Sequence, residues 1–199
     1  MGFEIKAPNL TQQILLDAPF ADDVCAITAR GTGKSYGIPL IIARDASHFR
    51  QNYSCLVTRQ SFQSLVELQG LLNTYLTRAF PGTVWHSQSN IFKLGGKESA
   101  LGTVELAYTG SGPIEQRKAL DRLQGRSFMC HIHDEIGTHP TTDFIDTVRA
   151  TLRAPEGIPT RVILLGNPGG AGHAWLQARF GIPAGYPEPG KPVRFYSDD

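Results

Sequence analysis

The chain has 199 residues, 41% of them hydrophobic, enough for one sizeable core and short for two, so a single domain is expected. Its 19 Lys and Arg nearly balance 18 Asp and Glu, and a net charge of +1 excludes a global attraction to nucleic acid or anionic lipid; any basic surface must be local. No apolar run approaches the roughly 20 residues that span a bilayer, and the N-terminus lacks the basic-then-apolar order of a signal peptide, so a soluble intracellular protein without membrane contact is expected.

In chain order, apolar and partly β-branched runs alternate with amphipathic ones. DVCAIT (Asp23–Thr28) predicts a strand, Lys34–Ala46 a helix and SCLVT (Ser54–Thr58) a strand. Ser61–Phe80 predicts a long helix with apolar positions at Leu65, Leu68, Leu72 and Leu76, stopped by Pro81-Gly82. Val84–Leu94 and Thr103–Tyr108 predict a β-meander broken at Gly95-Gly96, followed by a short helix over Pro113–Leu123. Phe128–His133 and Arg161–Leu165 predict two further strands, with a helix near Thr141–Leu152 between them and another over His173–Phe180. This alternation implies an α/β fold, a mostly parallel sheet flanked by helices on both faces. Cys25, Cys55 and Cys130 each sit in an apolar run without Cys-x-x-Cys spacing and read as reduced, buried thiols. The domain is expected over residues 1–185, and the Pro- and Gly-rich end over 186–199 reads as a linker cut from a longer chain.

The stretch TARGTGKS (Thr28–Ser35) ends as a phosphate-binding loop. Such loops work because glycines let backbone N–H groups curl around phosphates, the Lys reaches the β and γ oxygens and the Ser hydroxyl helps hold Mg²⁺. Gly31, Gly33, Lys34 and Ser35 supply these groups; Thr28 stands where the usual pattern has its first Gly, which eases the turn and adds no ligand. A strand before the loop and a helix starting at Lys34 place a helix N-terminus under the phosphates. About a hundred residues later, SFMCHIHDEIG ends a strand in Asp134-Glu135. Adjacent side chains at a strand end diverge, so Asp134 is expected to face the metal and Glu135, as catalytic base, the attacking water. RVILLGNPGGAG runs a further strand into Gly166-Asn167-Pro168, whose amide can hydrogen-bond the water or the γ-phosphate and so sense it, unless the run is simply a good turn.

These three motifs and their spacing resemble the ATPase domain of the large terminase subunit, the DNA-packaging motor of tailed bacteriophages. The likeness rests on ARGTGKS, LVTRQSFQSL, LDRLQGRSFMCHIHDEIG and LLGNPGGAGHAWLQARF and runs from about Gln12 to Phe180. It implies a RecA-like P-loop NTPase fold of the class with an additional strand (ASCE type) between the P-loop strand and the acidic strand. It implies ATP and Mg²⁺ as cofactors, a homo-oligomeric ring, by resemblance a pentamer, around double-stranded DNA, a portal protein and a small terminase subunit as partners, and the cytoplasm of an infected bacterial host. Residue by residue, it implies a nucleotide segment of Arg30, Gly31, Thr32, Gly33, Lys34, Ser35 and Tyr36, with Arg30 sensing the γ-phosphate from within the loop. It implies Mg²⁺ on Ser35 and Asp134, Glu135 as base, Asn167 in a coupling motif, and Gln12 or Gln13 reading adenine. Some terminases carry an Arg finger immediately before the Gly of QGRSF, where this chain has Gln124; Arg126, ahead of Arg122, is expected to supply that charge. Nothing in the chain fits the family's C-terminal nuclease, so no DNA cutting is expected from it.

Other residues carry competing readings. His131, His133 and His139 near Asp134 invite a zinc site, with polar packing in a sheet as the alternative. Arg59 faces either the nucleotide or DNA, or is an exposed cap-region cation. Lys93, Lys97, Arg117 and Lys118 are candidates for sequence-independent phosphate contacts. Rival functions are a RecA-like helicase and a nucleotide-binding assembly module without turnover.

Overall fold

Residues 7–21, 23–96 and 101–180 are described in a computed structural model. In chain order the elements are α1 (Leu10–Asp17), β1 (Val24–Ile27), α2 (Lys34–Phe49), β2 (Ser54–Arg59), α3 (Phe62–Ala79), β3 (Val84–His86), β4 (Ile91–Lys93), β5 (Thr103–Tyr108), α4 (Pro113–Leu123), β6 (Cys130–Asp134), α5 (Asp143–Val148), β7 (Arg161–Gly166) and α6 (His173–Arg179). All seven strands join one sheet in the order β1-β7-β6-β2-β5-β4-β3. The five from β1 to β5 run parallel, and β4 and β3 extend the sheet antiparallel, as the meander reading requires. β7 lies between β1 and the acidic strand β6, which is the additional strand that the resemblance implies.

Strand alternation sorts the core. Cys55, Val57, Ile132, Ile163 and Leu165 face one side, where Leu15 of α1, Ile38, Ile41 and Ile42 of α2, and Leu65, Leu68, Leu72 and Leu76 of α3 cover them. Leu56, Val162 and Leu164 face the other, against Leu123 of α4, Phe144 and Val148 of α5 and Leu176 of α6. With both faces covered, β2 and β7 carry continuous apolar runs through their middles, while β6 buries His131 and His133 among its apolar residues. Register brings the tips of β1, β7, β6 and β2 to one rim, since Ile27 pairs with Gly166, Asp134 with Leu165, and Thr58 with His133. The loops after these strands therefore share one end of the sheet, where open parallel sheets bind ligands.

The N-terminal stretch, for which no element was expected, is a helix, α1, begun by a capping box in which the Asn9 side chain accepts from the Gln12 amide and the Gln12 side chain accepts from the Asn9 amide. Three expectations are corrected. The helix expected near Thr141–Leu152 is α-helical only over Asp143–Val148, then tightens into a 3₁₀ turn over Arg149–Thr151. The cause is Phe128, which pairs with Leu152 in an isolated parallel bridge, donating to the Thr151 carbonyl at 2.8 Å and accepting from the Arg153 amide at 2.7 Å; it too stands outside the strand expected to begin with it. Cys55 and Cys130 are buried, as expected, but Cys25 is only half-buried. The linker expected at 186–199 falls outside the described residues, and no helix among the described residues is long and apolar enough to cross a membrane.

Asp45 of α2 and Arg161, the first residue of β7, are 0% and 1% exposed and form an ion pair at the end of β7 opposite the shared rim. Arg44 adds a second guanidinium to Asp45 at 2.8 Å. Asp45→Ala leaves Arg161 buried without its countercharge, which is expected to cost about 3–5 kcal/mol of stability in urea unfolding. A loss below about 1 kcal/mol would show that water already screens the pair.

Candidate functional site

The loop between β1 and α2 is shaped by its glycines. Gly33 caps α2 at φ 79°, in the left-handed region, and a Cβ there would lie 2.8 Å from Asn9 Nδ2 and 2.9 Å from Gln12 Nε2. Those amides occupy that space because Asn9 Nδ2 donates to the Thr32 carbonyl and Gln12 Nε2 to the Gly33 carbonyl, each at 3.0 Å. Helix α1 is thus tied to the loop through Gln12. Gln13 points elsewhere, donating to Asp17 along its own helix at 2.7 Å.

Lys34, buried at the start of α2, donates from Nζ to the Thr28 carbonyl at 2.8 Å, the Ala29 carbonyl at 2.9 Å, Thr28 Oγ1 at 3.0 Å and Asn167 Oδ1 at 3.0 Å. Burial pulls its pKa below the ordinary lysine value, and the charge of Asp134 pulls it partly back. Thr28 is more than a bent turn: its hydroxyl lies 2.6 Å from that of Thr32 and accepts from Lys34. Ser35, the next residue of the helix, donates to Asp134 Oδ2 at 2.8 Å across 99 residues of sequence. The phosphate-loop lysine, the serine, the acidic strand and Asn167 therefore converge at one rim.

Asp134 and Glu135 have different surroundings. Asp134 is 3% exposed, and its Oδ1 accepts from the Glu135 amide at 3.0 Å. Glu135 is a non-glycine residue in the left-handed region (φ 62°, ψ 31°), a conformation that costs on the order of 1 kcal/mol and clusters at functional sites. Its half-buried carboxylate has no hydrogen-bond partner among the described residues. Arg59, weighed between nucleotide, DNA and solvent, is buried against Asp134: Nε and Nη2 donate to Oδ2 at 3.0 and 2.6 Å.

The loop after β7 closes on the loop after β6. Gly170 has φ 85° and a Cβ there would come within 2.7 Å of the Gly137 carbonyl; that carbonyl accepts from the Gly172 amide at 2.9 Å. Trp175 Nε1 donates to the His139 carbonyl at 2.8 Å.

Arg30, Gly31 and Tyr36 are exposed, and Thr32 is half-buried. Arg126 is exposed and pairs loosely with Glu105 at 3.8 Å, away from the contacts just described; Arg122 lies over the Tyr108 ring at 4.8 Å. Lys93, Arg117 and Lys118 are exposed, while Lys97 lies outside the described residues. The three histidines each meet a threonine: His133 Nδ1 lies 2.6 Å from Thr58 Oγ1, His131 Nε2 3.2 Å from Thr151 Oγ1, and His139 Nε2 3.4 Å from Thr109 Oγ1. Among the described residues no three His, Cys, Asp or Glu side chains come together as a metal site.

Burial pulls all three imidazoles below the ordinary histidine value, His131 to about 3. Below about pH 6.5 the unfolded chain then binds protons that the folded chain refuses, so stability is full above that pH and is lost as pH falls toward the folded values. Between pH 7.5 and 5.0, urea unfolding is expected to lose roughly 2 kcal/mol for each histidine that stays neutral. A flat profile would contradict neutral burial.

Of the residues singled out from sequence, the structure brings together Gln12, Lys34, Ser35, Asp134 and Asn167, fixes Arg59 on Asp134 among its competing readings, and adds Asn9 and Thr28, which carried no ligand role. The signal for Asn9 was present in its three-residue spacing from Gln12; the others needed tertiary contact.

No family model matches the sequence, and no curated protein matches it. Solved structures do. The large terminase of a thermophilic bacteriophage superposes with TM-score 0.63 at 14% identity, over 85% of this chain and 41% of that one. The large terminase ATPase domain of Thermus phage P74-26 gives 0.62 at 15% identity, over 92% and 73%. The N-terminal domain of the DNA packaging ATPase of bacteriophage phi29 gives 0.55 at 14% identity, over 94% and 91%. The chain thus spans under half of the first of these proteins and most of the two single domains. The first, from the thermophilic phage, has also been solved with ATP-γ-S and with ADP. The chain has the RecA-like fold of the large terminase ATPase domains.

Proposed function

We propose that the chain is the ATP-hydrolysing motor domain of a viral terminase, which translocates double-stranded DNA into a procapsid. The observation that carries the reading is the 2.8 Å contact between Ser35 and Asp134, with Lys34 beside it bonded to Asn167. It unites a phosphate loop, a metal-type carboxylate and a polar strand tip on a fold shared with a large terminase solved with ATP-γ-S and with ADP.

The donor set fits Mg²⁺, a hard cation that takes oxygen ligands: the hydroxyl of Ser35 on the first turn of α2, beside the phosphate loop, and the carboxylate of Asp134 at the end of β6, already adjacent. Ser35 and Asp134 would hold it, and when bound it neutralises charge building on the β and γ phosphate oxygens. The chain's own residues do the rest. Lys34 turns its ammonium from the loop carbonyls to the phosphates, and the Gly31 and Gly33 turns leave the loop backbone free to wrap them. Glu135 takes the proton of the attacking water, its free carboxylate held apart from Asp134 by the left-handed backbone. Asn167 touches Lys34 and so registers whether the γ-phosphate has claimed it. Gln12 rather than Gln13 sits against the loop to read adenine, while Arg30 reaches the γ-phosphate from within it and Tyr36 flanks it. Arg126, exposed on the loop after α4, serves a neighbouring subunit as the trans-acting cation.

The finer parts of this reading are a homo-oligomeric ring, pentameric by resemblance, a portal protein and small terminase subunit as partners, work in the cytoplasm of an infected bacterium, and Lys93, Arg117 and Lys118 as backbone contacts to duplex DNA. The proposed motor domain spans residues 1–185, with no nuclease activity of its own.

The test is ATP hydrolysis by the purified chain, alone and with linear duplex or single-stranded DNA, with strand separation followed in parallel. Hydrolysis stimulated by duplex without strand separation is the expected result. Strand separation would move the assignment to a helicase, and ATP binding without turnover, even with DNA, to an assembly module.

A further inference from the structure

Arg59 is bonded to the two side chains proposed to hold the metal. Its Nε and Nη2 donate to Asp134 Oδ2 at 3.0 and 2.6 Å, Nη2 also donates to Ser35 Oγ at 3.1 Å, and Nη1 donates to the Ser64 carbonyl at 2.8 Å. Asp134 has little acceptor capacity left. Oδ2 receives both guanidinium bonds and the Ser35 hydroxyl, and Oδ1 receives the Glu135 amide. Both residues are buried, so the guanidinium is poorly screened and cannot simply swing into water while staying on Asp134. A divalent cation drawn to Ser35 and Asp134 would meet a fixed positive charge on the same oxygens, and two cations at that separation repel strongly in a buried site.

We infer that Arg59 is an internal cation that competes with the divalent metal for Ser35 and Asp134, and that metal–nucleotide binding proceeds by exchanging the guanidinium for the metal. The inference rests on the nucleotide site proposed above. Arg59 then acts as a positioning residue with two settings: on Asp134 it keeps the buried carboxylate neutralised, and off it the carboxylate is released to the metal. The exchange has a structural outlet, because the remaining guanidinium contact is the carbonyl of Ser64 in the first turn of α3. Metal occupancy is thereby felt at the junction of β2 and α3.

The consequence is thermodynamic. Metal and nucleotide strengthen each other's binding by a coupling factor, and in the wild-type chain the displacement of Arg59 reduces that factor. Arg59→Gln removes the competitor. The measurement is the affinity of a fluorescent ADP analogue in EDTA and in saturating Mn²⁺, with the ratio of the two compared between wild type and Arg59→Gln. The ratio is expected to rise about tenfold or more in the variant. An equal or smaller ratio, with the analogue still bound in EDTA, overturns the exchange and makes Arg59 a permanent support of Asp134. If neither protein binds the analogue with or without Mn²⁺, the nucleotide site itself is refuted and this inference with it.

Removing a buried guanidinium could also unfold the chain, so the wild type supplies a second readout. The Arg59 Nε–H resonance, assigned by its absence in Arg59→Lys, is expected to exchange slowly with solvent in the free protein and with ADP in EDTA. It is expected to shift and lose that protection when Mg²⁺ is added with ADP. A resonance unmoved by Mg²⁺ with ADP overturns the proposal.

Discussion

Lys34→Ala is expected to weaken ATP binding by roughly 30- to 5,000-fold, the equivalent of about 2–5 kcal/mol for truncating one partner of a buried charge pair. At ATP concentrations that saturate the wild type, hydrolysis should then be abolished. The geometry explains why no neighbour substitutes. Lys34 stands on the first turn of α2 with its ammonium among Thr28, Ala29 and Asn167, the only lysine in the convergence of loop, acidic strand and strand tip among the described residues. Arg59 is the nearest other cation by contact, but it is bound to Asp134 and Ser64. Equilibrium binding of a fluorescent ATP analogue, with circular dichroism to verify the fold, measures the loss. The fold should survive, because two of the Lys34 acceptors are loop carbonyls with access to water. A variant that hydrolyses ATP at the wild-type rate would refute the site.

Glu135→Gln separates binding from chemistry. The amide keeps the size and the tolerance for the left-handed backbone but cannot take a proton, so hydrolysis is expected to fall by about 10²–10⁴ while nucleotide affinity changes less than about threefold. The wild-type carboxylate has no partner among the described residues, so its replacement leaves no buried group unpaired and stability should hold within about 0.5 kcal/mol. Single-turnover hydrolysis against equilibrium binding makes the distinction. Loss of both together would mean that Glu135 holds the nucleotide instead of activating water. Undiminished hydrolysis would move the base elsewhere.

Much of this was legible from one dimension because the pattern and the packing agree. Leu65, Leu68, Leu72 and Leu76 repeat at helical spacing and are the buried face of α3. The strand before the phosphate loop announces itself as an apolar run and the strand before Asp134 as an apolar run interrupted by His131 and His133, and a parallel sheet leaves their tips little choice but to share a rim. Helix α1 hid because Leu15 is its one buried residue, too little to set a period, although Asn9 and Gln12 carried the start signal. The choice between Gln12 and Gln13 was open for the same reason: one residue of helical rotation decides which faces the loop. Arg59 was undecidable because an arginine after a strand looks alike whether it caps a helix in water or reaches across to β6, and only the neighbouring strand supplies Asp134. The early end of α5 depended on a bridge between Phe128 and Leu152, a pairing with no local signature.

The bonds from Gly172 to Gly137 and from Trp175 to His139 fasten the turn that follows Asn167 to the turn that follows Glu135. A residue proposed to feel the end of the triphosphate and a residue proposed to deprotonate water thus ride on one carriage. A shift in either turn is shared with the other, and α6 takes part directly, because Trp175 is its own residue.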